Sequence, residues 1–164
     1  MENKKEILDN HKWGGSGIEK ELFEFILDEF EEGTTIVEIG AGLCSTKMFS
    51  MFFDSYSIED NIKYVGTYGN AKYIHAPLKD GWYDVEAVKN GLPEKYDLIF
   101  LDGPLGSGNR RGFLKNIKLF NPDAKIIVHD TYREPEADLA KEIAEELGKE
   151  IQFFKNSDFW AYIY

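Results

Sequence analysis

Five acidic residues, one histidine and a short glycine loop carry most of the chemistry this chain can offer. Gly40-Ala41-Gly42 follows the run Thr34-Thr35-Ile36-Val37 and precedes Ser45-Thr46, where a helical stretch opens. Glycines allow a tight turn and a close backbone approach, and a helix start presents unpaired N–H groups. Glu59 ends the next strand-like segment, at the spacing where a carboxylate accepts both hydroxyls of a ribose, and Asp60 follows it. These elements suit a nucleoside. Asp102 follows the apolar run Tyr96–Leu101, and His129-Asp130 follow Lys125–Val128. Histidine is the side chain whose unperturbed titration lies nearest neutrality, so His129 is the candidate base, with Asp102 and Asp130 beside it. Arg110 and Arg111 end the loop Gly106-Ser107-Gly108-Asn109 and offer two guanidinium groups to a phosphate or carboxylate on a substrate. Trp13-Gly14-Gly15 reads as a lid.

These residues need a frame. Ser16-Gly17-Ile18-Glu19 reads as a capping box. Ile18, Leu22, Phe25, Ile26 and Phe30 recur at helical spacing, and Gly33 closes that helix. Thr35–Ile39, Tyr56–Glu59, Lys72–His75, Tyr96–Leu101 and Lys125–Val128 read as strands. Between them the spacing predicts helices over Ser45–Phe53, Asn61–Tyr68, Asp84–Asn90 and Arg111–Phe120, and a further helix over Glu136–Leu147. Glu150–Phe154 and Phe159–Tyr164 are too close for a crossover helix and pair as an antiparallel hairpin around Lys155–Asp158. The sum is an α/β fold: a doubly wound, Rossmann-like, seven-stranded and mostly parallel sheet with helices on both faces. Residues 1–164 read as one domain, with 1–15 as lead-in or lid.

The ligand is narrowed by two residues. Glu38 lies beside the loop, where a carboxylate repels a pyrophosphate but tolerates a cationic amino-acid group. Ser45 stands where a dinucleotide fingerprint has its third glycine. S-adenosylmethionine therefore fits better than NAD(P).

Val37-Glu38-Ile39-Gly40-Ala41-Gly42 resembles the first motif of class I S-adenosylmethionine-dependent methyltransferases. Ser57-Ile58-Glu59-Asp60 resembles their acidic second-strand motif, and Tyr96–Pro104 their fourth-strand motif in its "DGP" form. Ser45-Thr46 extends the likeness to small bacterial and phage members, whose first motif reads EIG-x-G followed by Ser-Thr. The resemblance covers about Trp13 to Tyr164 and implies a seven-stranded sheet ending in a hairpin. It implies that Glu38, Gly40, Ala41, Gly42 and Ser45 line the cofactor, with Glu59 on the ribose diol. Asp60, Pro77 and Leu78 would lie by the adenine, and Asp102 by the methionine end. Catechol-type relatives hold magnesium with an Asp after strand four and Asp-Asn after strand five. Here Thr131 stands in place of that Asn, and no metal is expected.

The implied activity is methyl transfer, with O-methylation of a small-molecule or glycan-like acceptor. The rival expectations are an NAD(P)-binding oxidoreductase and a non-catalytic cofactor-binding subunit. A net charge of −11 argues against nucleic acid and anionic membrane as partners. Cys44 is the only cysteine, so no intrachain disulfide forms, and a cytoplasmic protein is expected. The stretch MENKKEILDN lacks the apolar core of a signal peptide. His75, inside a strand, and Cys44, in loop packing, read as structural.

Overall fold

The computed structural model describes residues 4–14, 17–106, 109–155 and 159–164. Seven strands form one sheet: β1 (Thr35–Ile39), β2 (Asp54–Glu59), β3 (Lys72–His75), β4 (Leu98–Leu101), β5 (Lys125–His129), β6 (Ile151–Lys155) and β7 (Phe159–Ile163). Their order is β3-β2-β1-β4-β5-β7-β6. The first five run parallel, and β7 lies antiparallel to both β5 and β6, as the hairpin reading requires.

Burial follows from the period-2 alternation of side chains along each strand. Ile36, Leu98, Phe100 and Ile127 join Leu22, Phe23 and Ile26 of α2 (Lys20–Glu29) and Met48, Phe49 and Phe52 of α3 (Ser45–Phe52). Val37, Ile39, Ile99, Leu101 and Val128 face the other way. There they meet Val88 of α4 (Val85–Gly91), Phe113 of α5 (Arg111–Lys115) and the Leu139–Ala140–Ile143 face of α6 (Glu134–Leu147). A lead-in helix, α1 (Lys4–Asn10), adds Leu8 to the first cluster. Among the described residues, no helix is long and apolar enough to cross a membrane.

The local departures from the sequence reading have physical reasons. The stretch 61–68 is a chain of turns rather than a helix. Tyr64 N donates to Asn61 O and Thr67 N to Tyr64 O, and Gly66 then enters the left-handed region at φ +76°. Helix α5 stops at Lys115 and resumes as a 3-10 turn at Ile117–Leu119. Asn116, at φ −112° and ψ 18°, leaves the helical region there, and its N–H is shared between the Gly112 and Phe113 carbonyls. Helix α2 begins at Lys20, and Glu19 at its N-cap makes no side-chain capping bond. Ser16 of the expected capping box lies outside the described residues, as do Gly15, Ser107, Gly108 and Asn156 to Asp158. A two-stranded ribbon, Leu78–Lys79 against Trp82–Tyr83, was not expected. Its turn residues Asp80 and Gly81 have φ +52° and +81°, which suits the Asp-Gly hairpin turn.

Candidate functional site

The order reverses between β1 and β4, since the chain winds outward from β1 to β3 and then returns to β4 on the other side. Crevices at such points receive ligands beyond the carboxyl ends of the strands. The glycine loop, Glu59 and Asp102 all end strands there.

At β1, Gly40 has φ +95°, and a Cβ at this position would lie 2.7 Å from Gly103 Cα. Only glycine lets the first loop back directly onto the turn after β4. Beneath the loop, Glu38 is 1% exposed, and its Oε2 accepts from Thr46 Oγ1 and from Ser57 Oγ at 2.7 Å. Thr46 Oγ1 in turn accepts from Gly42 N at 2.8 Å. The sequence "EIGAG…ST" is thus one hydrogen-bonded unit in which Glu38 is the anchor. Burial pushes the Glu38 carboxyl from 4.5 up to about 7, against the opposing pull of the Ser45, Thr46 and Ser57 hydroxyls. The folded protein therefore binds an extra proton between about pH 4.5 and 7, and this group's contribution to stability falls as pH rises through that window. Glu38→Gln should flatten that fall by up to about 3 kcal/mol, read as the difference in urea-unfolding free energy between mutant and wild type at the two pH limits. Parallel pH profiles for the two proteins would contradict it.

Glu59 reaches back to the same loop. Its Oε2 accepts from Ala41 N at 3.3 Å and its Oε1 from Asn61 N at 2.7 Å. The two elements proposed to grip a nucleoside are therefore in contact. Each carboxylate oxygen has a second lone-pair direction with which to meet a diol. Ala76 N donates to Glu59 O, which brings Pro77 and Leu78 to the same edge. Tyr83, from the ribbon, is a site neighbour that sequence reasoning missed. It is 1% exposed and packs its phenol against Gly103. Burial pushes its hydroxyl well above the usual tyrosine range, with Glu59, Asp60 and Asp102 adding to the effect. The Asp80-Gly81 dipeptide between short apolar runs was the signal that could have placed it.

Around β4 and β5 the polar groups converge. His129 Nδ1 lies 3.0 Å from Asp102 Oδ1. An ionised carboxylate only accepts, so the ring proton sits on Nδ1. Arg110 Nη2 donates to Asp102 Oδ1 and to Asp130 Oδ2, both at 2.9 Å, and Nη1 donates to His129 O at 2.9 Å. Arg133 Nη1 reaches Asp130 Oδ2 at 3.1 Å. Asp130 has φ +62°, a left-handed conformation that aspartate adopts more readily than most residues.

The two arginines diverge. Arg110 turns into this cluster, whereas Arg111 pairs with Glu142 of α6 and lines a cavity of about 550 Å³ with Lys79, Trp82 and Lys115. Trp13 donates from Nε1 to Leu8 O at 2.8 Å and packs on Phe23, so it is tied to the α1–α2 face. Its segment still borders the glycine loop, because His11 Nε2 lies 3.0 Å from Cys44 Sγ. Sequence spacing gave no hint of that imidazole beside the thiol. Large apolar side chains stand exposed on the loops after β1, β2, β4 and β5: Leu43, Ile62, Leu105 and Tyr132.

No protein-family profile matches this chain, and no curated protein does. Solved structures do share its fold. A candidate caffeoyl-CoA O-methyltransferase from Staphylococcus aureus is 17% identical, with a TM-score of 0.61 over 87% of this chain and 80% of its own. Precorrin 8W decarboxylase from Methanobacterium thermoautotrophicum is 17% identical, with a TM-score of 0.62 over 92% and 90%. MycE methyltransferase of the mycinamycin biosynthetic pathway, solved with Mg and SAH, is 14% identical. Its TM-score is 0.55 over 87% of this chain and 44% of its own. At these identities the likeness is one of fold.

Proposed function

We propose that this chain is an S-adenosylmethionine-dependent methyltransferase acting on a hydroxyl of a small-molecule or glycan-like acceptor. The observation that carries the reading is the contact of Glu59 with Ala41 N across the β1–β2 loop ends, beside Asp102. It supplies a diol acceptor and a glycine turn in one crevice, at the switch point of the sheet. The fold neighbours named as methyltransferases support the same reading.

When bound, S-adenosylmethionine supplies a methyl group on a sulfonium, already activated for transfer. The chain's own residues would hold and orient. Glu59 would accept the ribose hydroxyls, and the Gly40–Gly42 backbone would border the methionine and ribose. Asp60, Pro77 and Leu78 would border the adenine, and Asp102 the methionine end. Ser45 and Glu38, buried beneath the loop, would keep it in shape. Placing the acceptor in line is the main task, and orientation of this kind is worth up to roughly 7–11 kcal/mol in ideal intramolecular reactions. Asp102 holds the His129 ring through Nδ1, and we assign proton removal from the acceptor hydroxyl to this imidazole. General-base help of this type contributes about 10²–10⁴ in rate. The exposed apolar side chains on the strand-end loops favour an acceptor with an apolar face. With a single buried thiol and an acidic surface, we place the protein in the cytoplasm and assign it no nucleic-acid or membrane partner.

Thermal unfolding with S-adenosylhomocysteine and with NAD tests the assignment. Ligand at about 100 times its dissociation constant adds roughly 2.7 kcal/mol, which is several degrees at this size. A shift with S-adenosylhomocysteine alone is expected. A shift with NAD alone would replace the reading with the oxidoreductase one.

A further inference from the structure

Asp102, His129 and Asp130 offer three ligand atoms within 4.8 Å of one another. That spread suits one divalent ion with ligands at roughly 2.0–2.4 Å. The place between the carboxylates is nevertheless filled from within the chain. Arg110 Nη2 bridges Asp102 Oδ1 and Asp130 Oδ2, while Nη1 pins the carbonyl at the end of β5. Its side chain is 4% exposed, against 18% for Asp102 and 16% for Asp130. Arg133 adds a second guanidinium on Asp130 Oδ2. Two carboxylates thus face two guanidinium groups. A divalent ion entering here would meet a buried cation already holding both of its anionic ligands. As they stand, the residues do not fit a metal.

We propose that Arg110 is the resident cation of this site, standing where a divalent ion would otherwise join Asp102 to Asp130. The planar guanidinium suits the task, because its fixed fork reaches three acceptors at once where an ammonium is a single point charge. Arg110 is a positioning residue: it holds Asp102 and Asp130, and through Asp102 it sets the His129 ring. The catalytic meaning of that placement rests on the methyltransferase reading, whereas the cation assignment does not.

Manganese titration of the full chain, with the free ion followed by electron paramagnetic resonance, tests the proposal. Wild type should bind no Mn²⁺ beyond what Asp102→Asn binds. Arg110→Met, which keeps the apolar stem and removes the charge, should take up one further Mn²⁺ per chain. Arg110→Met combined with Asp102→Asn should lose that ion, and Arg110→Lys, which retains a cation, should not gain it. An Mn²⁺ site in wild type that Asp102→Asn abolishes would overturn the proposal, as would a folded Arg110→Met that takes up none. Where Arg110→Met unfolds alone, recovery of structure on adding Mn²⁺ supports the proposal, and no recovery counts against it. Methyl transfer enters none of these readouts. Failure of the methyltransferase reading would appear separately, as absent binding of S-adenosylhomocysteine.

Discussion

Arg110→Ala should lower folding stability by about 3–5 kcal/mol, measured by urea unfolding at neutral pH, because it takes the buried shared cation from two mostly buried carboxylates and leaves Asp130 with the half-exposed Arg133 and Asp102 with His129. Asp102 and Asp130 share the one Nη2, and the carbonyl of His129 loses its donor as well. Combining Arg110→Ala with Asp130→Asn should recover part of the loss, with an interaction energy of about 1–3 kcal/mol in the double-mutant cycle. A loss below about 1 kcal/mol would mean that the pairs behave like solvated surface bridges, and the buried cluster would then be wrongly described. By contrast, the more exposed Arg111–Glu142 pair, at 42% and 41% side-chain exposure, should matter little.

Glu59→Ala should weaken S-adenosylhomocysteine binding on the order of 100-fold, since a charged acceptor meeting two hydroxyls is worth about 3 kcal/mol. Calorimetric titration measures this directly. The substitution also frees Ala41 N and Asn61 N, so Glu59→Gln is the companion variant: it keeps an oxygen for one of them while removing the charge. Glu59→Gln should bind with intermediate affinity. Wild-type affinity in both variants would remove Glu59 from the binding site.

The parts of this architecture legible in the sequence were those with redundant signals. Ile36-Val37 and Leu98-Ile99-Phe100-Leu101 are apolar at consecutive positions, and such runs are buried on both faces of a parallel sheet. The hairpin of β6 and β7 followed from chain length alone. What stayed hidden depended on single side chains or on direction. Arg110 and Arg111 are neighbours that point about 100° apart at a helix start, and no pattern in the sequence says which of them turns inward. Helix α5 ended at Asn116, whose φ of −112° and ψ of 18° leave the helical region. The ribbon that delivers Tyr83 has two residues in each strand, too few for any alternation to register. Glu38 was expected to line the cofactor, and nothing in the sequence signalled that its Oε2 would also tie Thr46 and Ser57 together beneath the loop.

The central claim is that Glu59 and the Gly40–Gly42 turn form the berth of a sulfonium nucleoside, and a crystal structure with S-adenosylhomocysteine tests it most directly. The expected result has the Glu59 carboxylate on both ribose hydroxyls, the glycine loop against the homocysteine, and its sulfur turned towards Asp102 and His129. Clear density for the nucleoside elsewhere on the protein, with Glu59 still bonded to backbone N–H groups of its own loop and of Ala41, would contradict it.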